Sequence, residues 1–245
     1  VDGLKTKSTD IQMAAGQKLT VEGKLNSTDD TKIEADDLDL GNNKVNVGKK
    51  LTLEKATKAQ AINIGTGTGD WNINNSAYGE IKIGGASQTG DINIKGATFK
   101  NKSDIETTGK VTLTGATKAG ADGKSDMKIK AHTAELPTAS DTLAVKNLDL
   151  DLSGGIDLGL GKINGQKDGK VTAKGASASQ DIYISDNAAD APSTEFRIAY
   201  RTINNTLDGF GGFDVAGEKH VYFYGGAVKK SINAAGKLGV EVRDN

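Results

Sequence analysis

The sequence has no cysteine, only two prolines and little aromatic content. Without thiols it can form no disulfide and hold no cysteine-bound zinc, a composition shared by exported bacterial proteins and many cytosolic β-proteins. Arginine occurs only at Arg197, Arg201 and Arg243, and the net charge is −1, which argues against a nucleic-acid partner. No stretch approaches the roughly 18 apolar residues of a transmembrane helix, so we expect no membrane span.

What the sequence does have is abundant glycine and an internal repeat. An apolar-polar-apolar triplet is followed eleven positions later by a second one, and this pattern occurs at 51–64, 81–94 and 171–184. A partial copy starts at Val111, so the starts at 51, 81, 111 and 171 suggest a common step of 30 residues. Internal repeats with a period in this range are typical of stacked structural units.

The alternation of apolar and polar residues predicts short β-strands with one buried face. Such a strand cannot bury that face alone, but copies stacked about 4.8 Å apart form continuous apolar columns. We therefore predict an all-β chain folded as a parallel β-helix of about eight coils, with Leu51, Ile81 and Val111 in one column and Ile62 and Ile92 in another. The alternative is an antiparallel β-sandwich, which also has many short strands, although no regular series of hairpin turns supports it.

Composition divides the chain into three segments. Residues 1–43 contain weak strands and an acidic stretch, residues 44–185 contain the regular repeats, and residues 186–245 are predicted to form an aromatic-rich cap or a small β subdomain. The chain begins at Val1 rather than at a methionine and ends abruptly, and we expect it to be a segment of a longer protein.

The acidic stretch is a candidate calcium site, because calcium is bound by six to eight oxygen ligands. The candidate ligands are Asp29, Asp30, Asp36, Asp37 and Asp39. The strand phase set by Leu38 and Leu40, however, turns the last two of these towards solvent, and a run of charges is usually a hydrated face. No EF-hand loop accompanies the stretch. Calcium is the only cofactor for which the sequence offers candidates.

Aromatic residues collect in the last segment, where larger side chains would fill a wider core or an end cap. The functional interpretation is a contact with a glycan or a protein, since exposed Tyr and Arg are good contact residues. The candidate binding residues are Arg197, Tyr200, Arg201, Tyr222 and Tyr224.

No set of residues indicates catalysis. His132 and His220 are far apart and lack the spacing of metal ligands, and the glycine runs match no nucleotide-binding loop. Asp149, Asp151 and Asp157 lie in a strictly alternating stretch and are expected to be hydrated on the outer face rather than to form an acid–base pair. Asn-x-Ser/Thr triplets offer four candidate glycan acceptors, Asn26, Asn74, Asn101 and Asn204.

Segments such as Gly90-Asp-Ile-Asn-Ile-Lys-Gly-Ala-Thr and Gly109-Lys-Val-Thr-Leu-Thr-Gly-Ala-Thr give residues 15–185 a Gly-x-Leu/Ile-x-Ile/Leu rhythm. In this rhythm the chain resembles the exported bacterial haemagglutinin-like repeat proteins, the filamentous-haemagglutinin and high-molecular-weight adhesin family. The resemblance implies a secreted, surface-displayed β-helical stalk that mediates attachment and is sometimes glycosylated, with coils nearer twenty residues than thirty. It implies no individual binding residue.

We therefore expect a non-enzymatic segment of an extracellular bacterial cell-surface protein, a stalk that adheres to a glycan or protein on a host or neighbouring cell. A second hypothesis is a self-assembling structural subunit, such as a surface-layer protein or the outer domain of a filament protein, because open sheet edges at the ends of a rod invite self-association. The third hypothesis is a β-helical polysaccharide-degrading enzyme that would use Arg197 and Arg201 with clustered aspartates.

Overall fold

The structure is a computed structural model that describes residues 4–41, 45–65, 67–73, 76–174, 180–187, 189, 191, 193–210, 212–216, 220–224, 232–235 and 240–243. The chain is nearly all β, and its strands pair in parallel with those of neighbouring coils. It winds into a β-solenoid of about seven turns, one fewer than expected. The parallel β-helix is thus confirmed, and the antiparallel sandwich is wrong.

Within these residues the solenoid consists of short strands. In chain order they are β1 (Leu4–Thr6), β2 (Thr9–Gln12), β3 (Lys18–Thr20), β4 (Leu25–Ser27), β5 (Thr31–Glu34), β6 (Asp37–Asp39), β7 (Val45–Glu54), β8 (Ile62–Ile64), β9 (Ala77–Gly84), β10 (Ile92–Lys95), β11 (Thr98–Phe99), β12 (Lys102–Glu106), β13 (Lys110–Thr114), β14 (Ala116–Ala119), β15 (Met127–Ala131), β16 (Thr133–Glu135), β17 (Thr142–Ala144), β18 (Leu148–Leu152), β19 (Lys162–Asn164), β20 (Lys170–Lys174), β21 (Ile182–Ile184), β22 (Phe196–Ile198), β23 (Leu207–Asp208), β24 (Gly212–Ala216), β25 (Val221–Tyr224), β26 (Ile232–Ala235) and β27 (Val240–Arg243). A π-helical turn at Thr202–Thr206 lies between β22 and β23. In the part of the chain that the structure describes, no helix has the length and apolarity to cross a membrane.

Strands of successive coils stack into sheets that run along the solenoid. The long sheet has twelve strands, β1-β4-β7-β9-β12-β15-β18-β20-β24-β26 in order, with β2 and β5 beside this path. The second sheet has the order β16-β13-β10-β8, and the third has the order β11-β14-β17-β19-β23. The C-terminal sheet has the order β22-β21-β25-β27, and β3 pairs with β6.

The register corrects the predicted period of 30 residues. Leu51 pairs with Ile81, and Ile62 pairs with Ile92, as expected. Val111, however, pairs with Ile92 in the second sheet and not with Ile81 in the long sheet, so it belongs to the other column. The other regular coils advance by roughly 19 to 26 residues.

Two coils are longer because the chain folds back on itself. After β8, Trp71 returns and forms a parallel bridge with Ile64, on the edge of β8 that β10 does not occupy. This detour explains the single 30-residue step. After β21, the chain turns back in the same way, and β22 pairs between β21 and Ile156 of the preceding coil. We call β22 the inserted strand.

The inward side chains of all sheets form one core that extends along the solenoid. Each aliphatic side chain in it contributes roughly 1.5–3 kcal/mol relative to exposure to water. Four aromatic side chains of the last segment also enter this core: Phe196, Tyr200, Phe210 and Phe213.

A few core positions hold a hydroxyl group without a partner. Thr117 lies opposite Leu143, is 1% exposed, and its Oγ1 has no hydrogen-bond partner among the described residues. We expect Thr117→Val to raise the free energy of unfolding by about 1 kcal/mol, because it removes an unsatisfied polar group and keeps the side-chain shape. Urea denaturation followed by circular dichroism measures this change.

The matched control is Thr202→Val. Thr202 is equally buried, but its Oγ1 accepts the Leu158 N–H at 3.0 Å. Its replacement should therefore lower the free energy of unfolding by about 1–3 kcal/mol. Equal effects of the two substitutions would contradict the assignment of Thr117 as unsatisfied.

Candidate functional site

The structure does not bring the aspartates of the predicted calcium site together. Four of them have separate partners: the Asp29 carboxylate lies 2.6 Å from the Lys49 ammonium, that of Asp37 lies 3.6 Å from Lys18, and those of Asp30 and Asp39 accept the N–H groups of Lys50 and Gly41. Among the described residues, no three acidic or histidine side chains gather as metal ligands would. Calcium binding by this stretch stays a prediction.

The fifth aspartate, Asp36, is buried and joins three coils. It accepts the backbone N–H and the hydroxyl of Thr57, both at 2.6 Å, and the Gly16 N–H at 2.5 Å. Burial opposes ionisation, but these hydrogen bonds outweigh it and hold the pKa of Asp36 below its usual value. The buried Lys55 donates to the Asp36 carbonyl and lies 4.9 Å from the centroid of the Trp71 ring, and burial lowers the pKa of Lys55.

The outer face of the long sheet carries charges of alternating sign. Lys82 and Lys130 lie 2.7 and 3.3 Å from the Glu106 carboxylate, and Lys174 lies 3.3 Å from Asp149. Such partly exposed pairs each contribute little to stability, and their main effect is to keep the sheet face hydrated. Asp149 therefore lies on the outer face, as expected.

Asp157 lies elsewhere and forms the centre of an ion-pair cluster. Arg201 binds its two carboxylate oxygens through Nε at 3.0 Å and Nη2 at 2.5 Å. Arg197, on the inserted strand, reaches the same carboxylate at 3.3 Å and donates to the Ser185 carbonyl at 2.9 Å. Burial raises the pKa of Asp157, but the Arg201 and Gly159 hydrogen bonds outweigh it, so that the pKa is lowered overall. The cluster ties the inserted strand to the coils on both sides.

Three tyrosines form a partly exposed stack beside this cluster. Tyr183 on β21 lies directly opposite Tyr222 on β25, and Tyr224 follows on the same outward face. The Tyr183 ring centroid lies 4.9 Å from that of Tyr222 and 5.6 Å from that of Tyr224, with interplanar angles of 28° and 29°. We call this surface of Tyr183, Tyr222 and Tyr224 the tyrosine face.

The structure divides the five predicted binding residues into three groups. Tyr222 and Tyr224 lie on the tyrosine face, whereas Arg197 and Arg201 are held by Asp157. Tyr200 is only 6% exposed and packs in the core. The reason is that a helical turn begins at this residue, so the alternation of inward and outward side chains that places Arg197 outside ends before it.

Sequence reasoning missed Tyr183 and the role of Asp157. The triplet Ile182-Tyr-Ile184 did carry a signal, because its phase turns Tyr183 outward. No local pattern reveals that β21 and β25 are neighbours, since that depends on the long coil between them.

The candidate glycan acceptors differ in their surroundings. Asn26 is partly exposed on β4 and precedes the exposed Thr28, whereas Asn101 donates to the Tyr78 carbonyl at 2.7 Å and precedes the fully buried Ser103. Asn204 lies in the π-helical turn ahead of the buried Thr206. Asn74 lies outside the described residues. Glycosylation at these positions stays a prediction.

The tyrosine face, the Asp157 cluster and the inserted strand together are the most distinctive surface of the described residues. Comparisons with protein families, curated proteins and solved structures find no match to this chain.

Proposed function

We propose that the chain is a non-enzymatic segment of a secreted bacterial cell-surface protein, a β-helical stalk that mediates adhesion through its tyrosine face. The observation that carries the proposal is the position of three partly exposed tyrosines together on the outside of a continuous solenoid. Tyrosine is over-represented among the residues that dominate protein interfaces, because its ring offers a large contact area and its hydroxyl a hydrogen bond.

Two further features support a stalk. The parallel ladder of the long sheet continues from β1 to β26, which gives a rod rather than a compact globule. Coils of roughly 19 to 26 residues are also closer to the twenty that the haemagglutinin-like resemblance implies than to thirty. In contrast, the charged outer face of the long sheet would remain hydrated and carry no contact.

A second candidate function is self-assembly. Ile11, Leu19 and Val21 on the first coil are only partly buried, and β3 has a single pairing partner in the described residues. An open edge with apolar neighbours favours association with another chain.

The proposal is tested with protein-coated beads on epithelial and bacterial cell layers. We expect wild-type beads to attach, and beads with Tyr183→Ala, Tyr222→Ala and Tyr224→Ala together to lose at least about nine-tenths of that attachment, because contact hot spots carry most of the binding energy. The triple Tyr→Phe variant, which keeps the rings, and Lys128→Ala on the long sheet are the controls. Circular dichroism confirms that each variant is folded.

Two outcomes would overturn the proposal. One is equal attachment of wild-type and triple-alanine beads. The other is no attachment by wild-type beads while light scattering shows the protein assembling into sheets or filaments, which would establish the second candidate instead.

A further inference from the structure

We infer that the tyrosine face binds a cationic segment of a partner protein, one that presents arginine or lysine side chains. The inference rests on the proposed function, because it specifies the chemistry of the partner that attaches at this face. Three observations lead to it: the arrangement of the rings, the carboxylates beside them and the engagement of the nearby arginines.

The rings stack on one another instead of lying side by side. Tyr222 and Tyr224 both stack on the Tyr183 ring, at centroid separations of 4.9 and 5.6 Å and interplanar angles of 28° and 29°. This arrangement does not give the flat row of rings on which a sugar would stack. On the other side of β21 lies the inserted strand, where Arg197 is the residue in register with Tyr183. An aromatic ring face attracts a cation within about 6 Å of its centroid.

Arg197 does not fill that position. Its guanidinium group is held by the Asp157 carboxylate and by the Ser185 carbonyl. Among the side chains that the structure describes, no cation–π contact is found at Tyr183, whereas Lys55 makes one with Trp71 in the core. Arg197 is therefore already engaged by other partners and not by the Tyr183 ring.

Two carboxylates, those of Asp181 and Glu195, lie near Tyr183. The Glu195 carboxylate accepts the Asp181 N–H at 2.5 Å, and the Asp181 carboxylate accepts the His220 N–H at 3.2 Å. Burial, the two neighbouring tyrosines and both carboxylates raise the pKa of Tyr183, the direction expected beside negative charge.

Among the described side chains of this region, carboxylates outnumber guanidinium groups. Its described side chains include four carboxylates, Asp157, Asp181, Asp186 and Glu195, against two guanidinium groups, Arg197 and Arg201, which leaves two negative charges in excess. Such a surface repels nucleic acids and sialylated or uronic glycans. The negative charge of the surface contributes nothing to the binding of a neutral glycan. An arginine or lysine side chain matches both the carboxylates and the ring.

The test is binding of the folded chain to the peptide acetyl-Gly-Arg-Gly-Arg-Gly-amide and to its twin with citrulline in place of arginine. Citrulline keeps the shape and loses the charge. Measured by biolayer interferometry on the immobilised peptides, we expect the arginine peptide to bind about tenfold or more tightly than the citrulline peptide and to weaken as salt is added. Tyr183→Ala and Glu195→Gln should each weaken binding by about fivefold or more, whereas Tyr183→Phe should stay within about twofold of wild type.

Each result supports or overturns the inference independently of the attachment assay. Equal binding of the two peptides, absence of binding, or no effect of Tyr183→Ala would overturn it. If attachment to cells depends on the three tyrosines but the arginine peptide does not bind, the adhesive function stands and the cationic partner is wrong. If the peptide binds as expected and beads do not attach, the adhesive function fails and the cation site stands.

Discussion

Gly84→Ala should destabilise the solenoid by about 3–5 kcal/mol, among the largest effects of any single methyl group in this chain. Gly84 ends β9 with φ at +74°, and a Cβ atom there would lie 2.2 Å from the Glu106 carbonyl oxygen and 3.0 Å from Ile92 Cδ1. The closest atom belongs to the backbone of the next coil, to which Gly84 pairs directly. The methyl group can therefore be accommodated only if two stacked coils separate.

The control for this prediction is Gly96→Ala. Gly96 also has a positive φ, +63°, but the nearest atom to its Cβ would be 3.8 Å away, an ordinary contact. Its replacement should cost only the backbone strain of about 1–2 kcal/mol. The urea midpoints of the two variants, followed by circular dichroism, measure the difference. If both variants unfold at the same denaturant concentration, close approach of the coils is not what requires glycine at Gly84.

Trp71→Ala should lower the free energy of unfolding by about 3–5 kcal/mol, because it leaves a cavity in place of one of the largest fully buried side chains. Part of this loss comes from Lys55, whose ammonium group lies 4.9 Å from the ring centroid and hydrogen bonds to the Asp36 carbonyl. Without the ring, a buried cation loses a favourable neighbour. The cost of Trp71→Ala should therefore fall by about 1–2 kcal/mol when Lys55 is already methionine.

A double-mutant cycle separates this coupling from cavity formation. Urea unfolding of Trp71→Ala, Lys55→Met and the double variant gives the coupling energy between the two side chains. Phe99→Ala is the comparison, because Phe99 is as deeply buried and no cation–π contact is found at its ring in the described residues. The destabilisation by Phe99→Ala should simply add to that by Lys55→Met. A coupling of zero for Trp71 and Lys55 would show that the lysine takes no stabilisation from the ring.

The parallel solenoid was predictable because its cause is local. Triplets such as Leu51-Thr-Leu53 and Ile62-Asn-Ile64 show in the sequence which side chains of a strand point inward. Strands this short can bury that apolar face only by stacking on one another. The coil length was not predictable from the same residues. The detour through Trp71 lengthens one coil to 30 residues. The predicted period of 30 residues reflects this one exceptional coil.

The candidate site was predictable only in part. Tyr222 and Tyr224 were recognised from composition, and their outward phase agrees with the strand pattern of β25. The orientation of Arg197 and Arg201 depends on their ion pairs with Asp157, which lies about 40 residues earlier in the chain. Asp157 comes near them only because the inserted strand packs on its coil. Tyr183 became a neighbour of Tyr222 through the same long-range arrangement. The local alternation of apolar and polar residues does not indicate which distant coils contact one another.

The inserted strand also makes two sides of the solenoid unequal in height. Between Ile156 and β25, the side that carries the tyrosines rises through three strand spacings, while the long sheet rises through two from β18 to β24. The mismatch is one spacing, about 4.8 Å. Because the two sides gain unequal height here, we expect the coils above the inserted strand to tilt relative to those below it. Such a tilt would place the tyrosines on the taller, outer side of the bend, where an approaching surface meets them first.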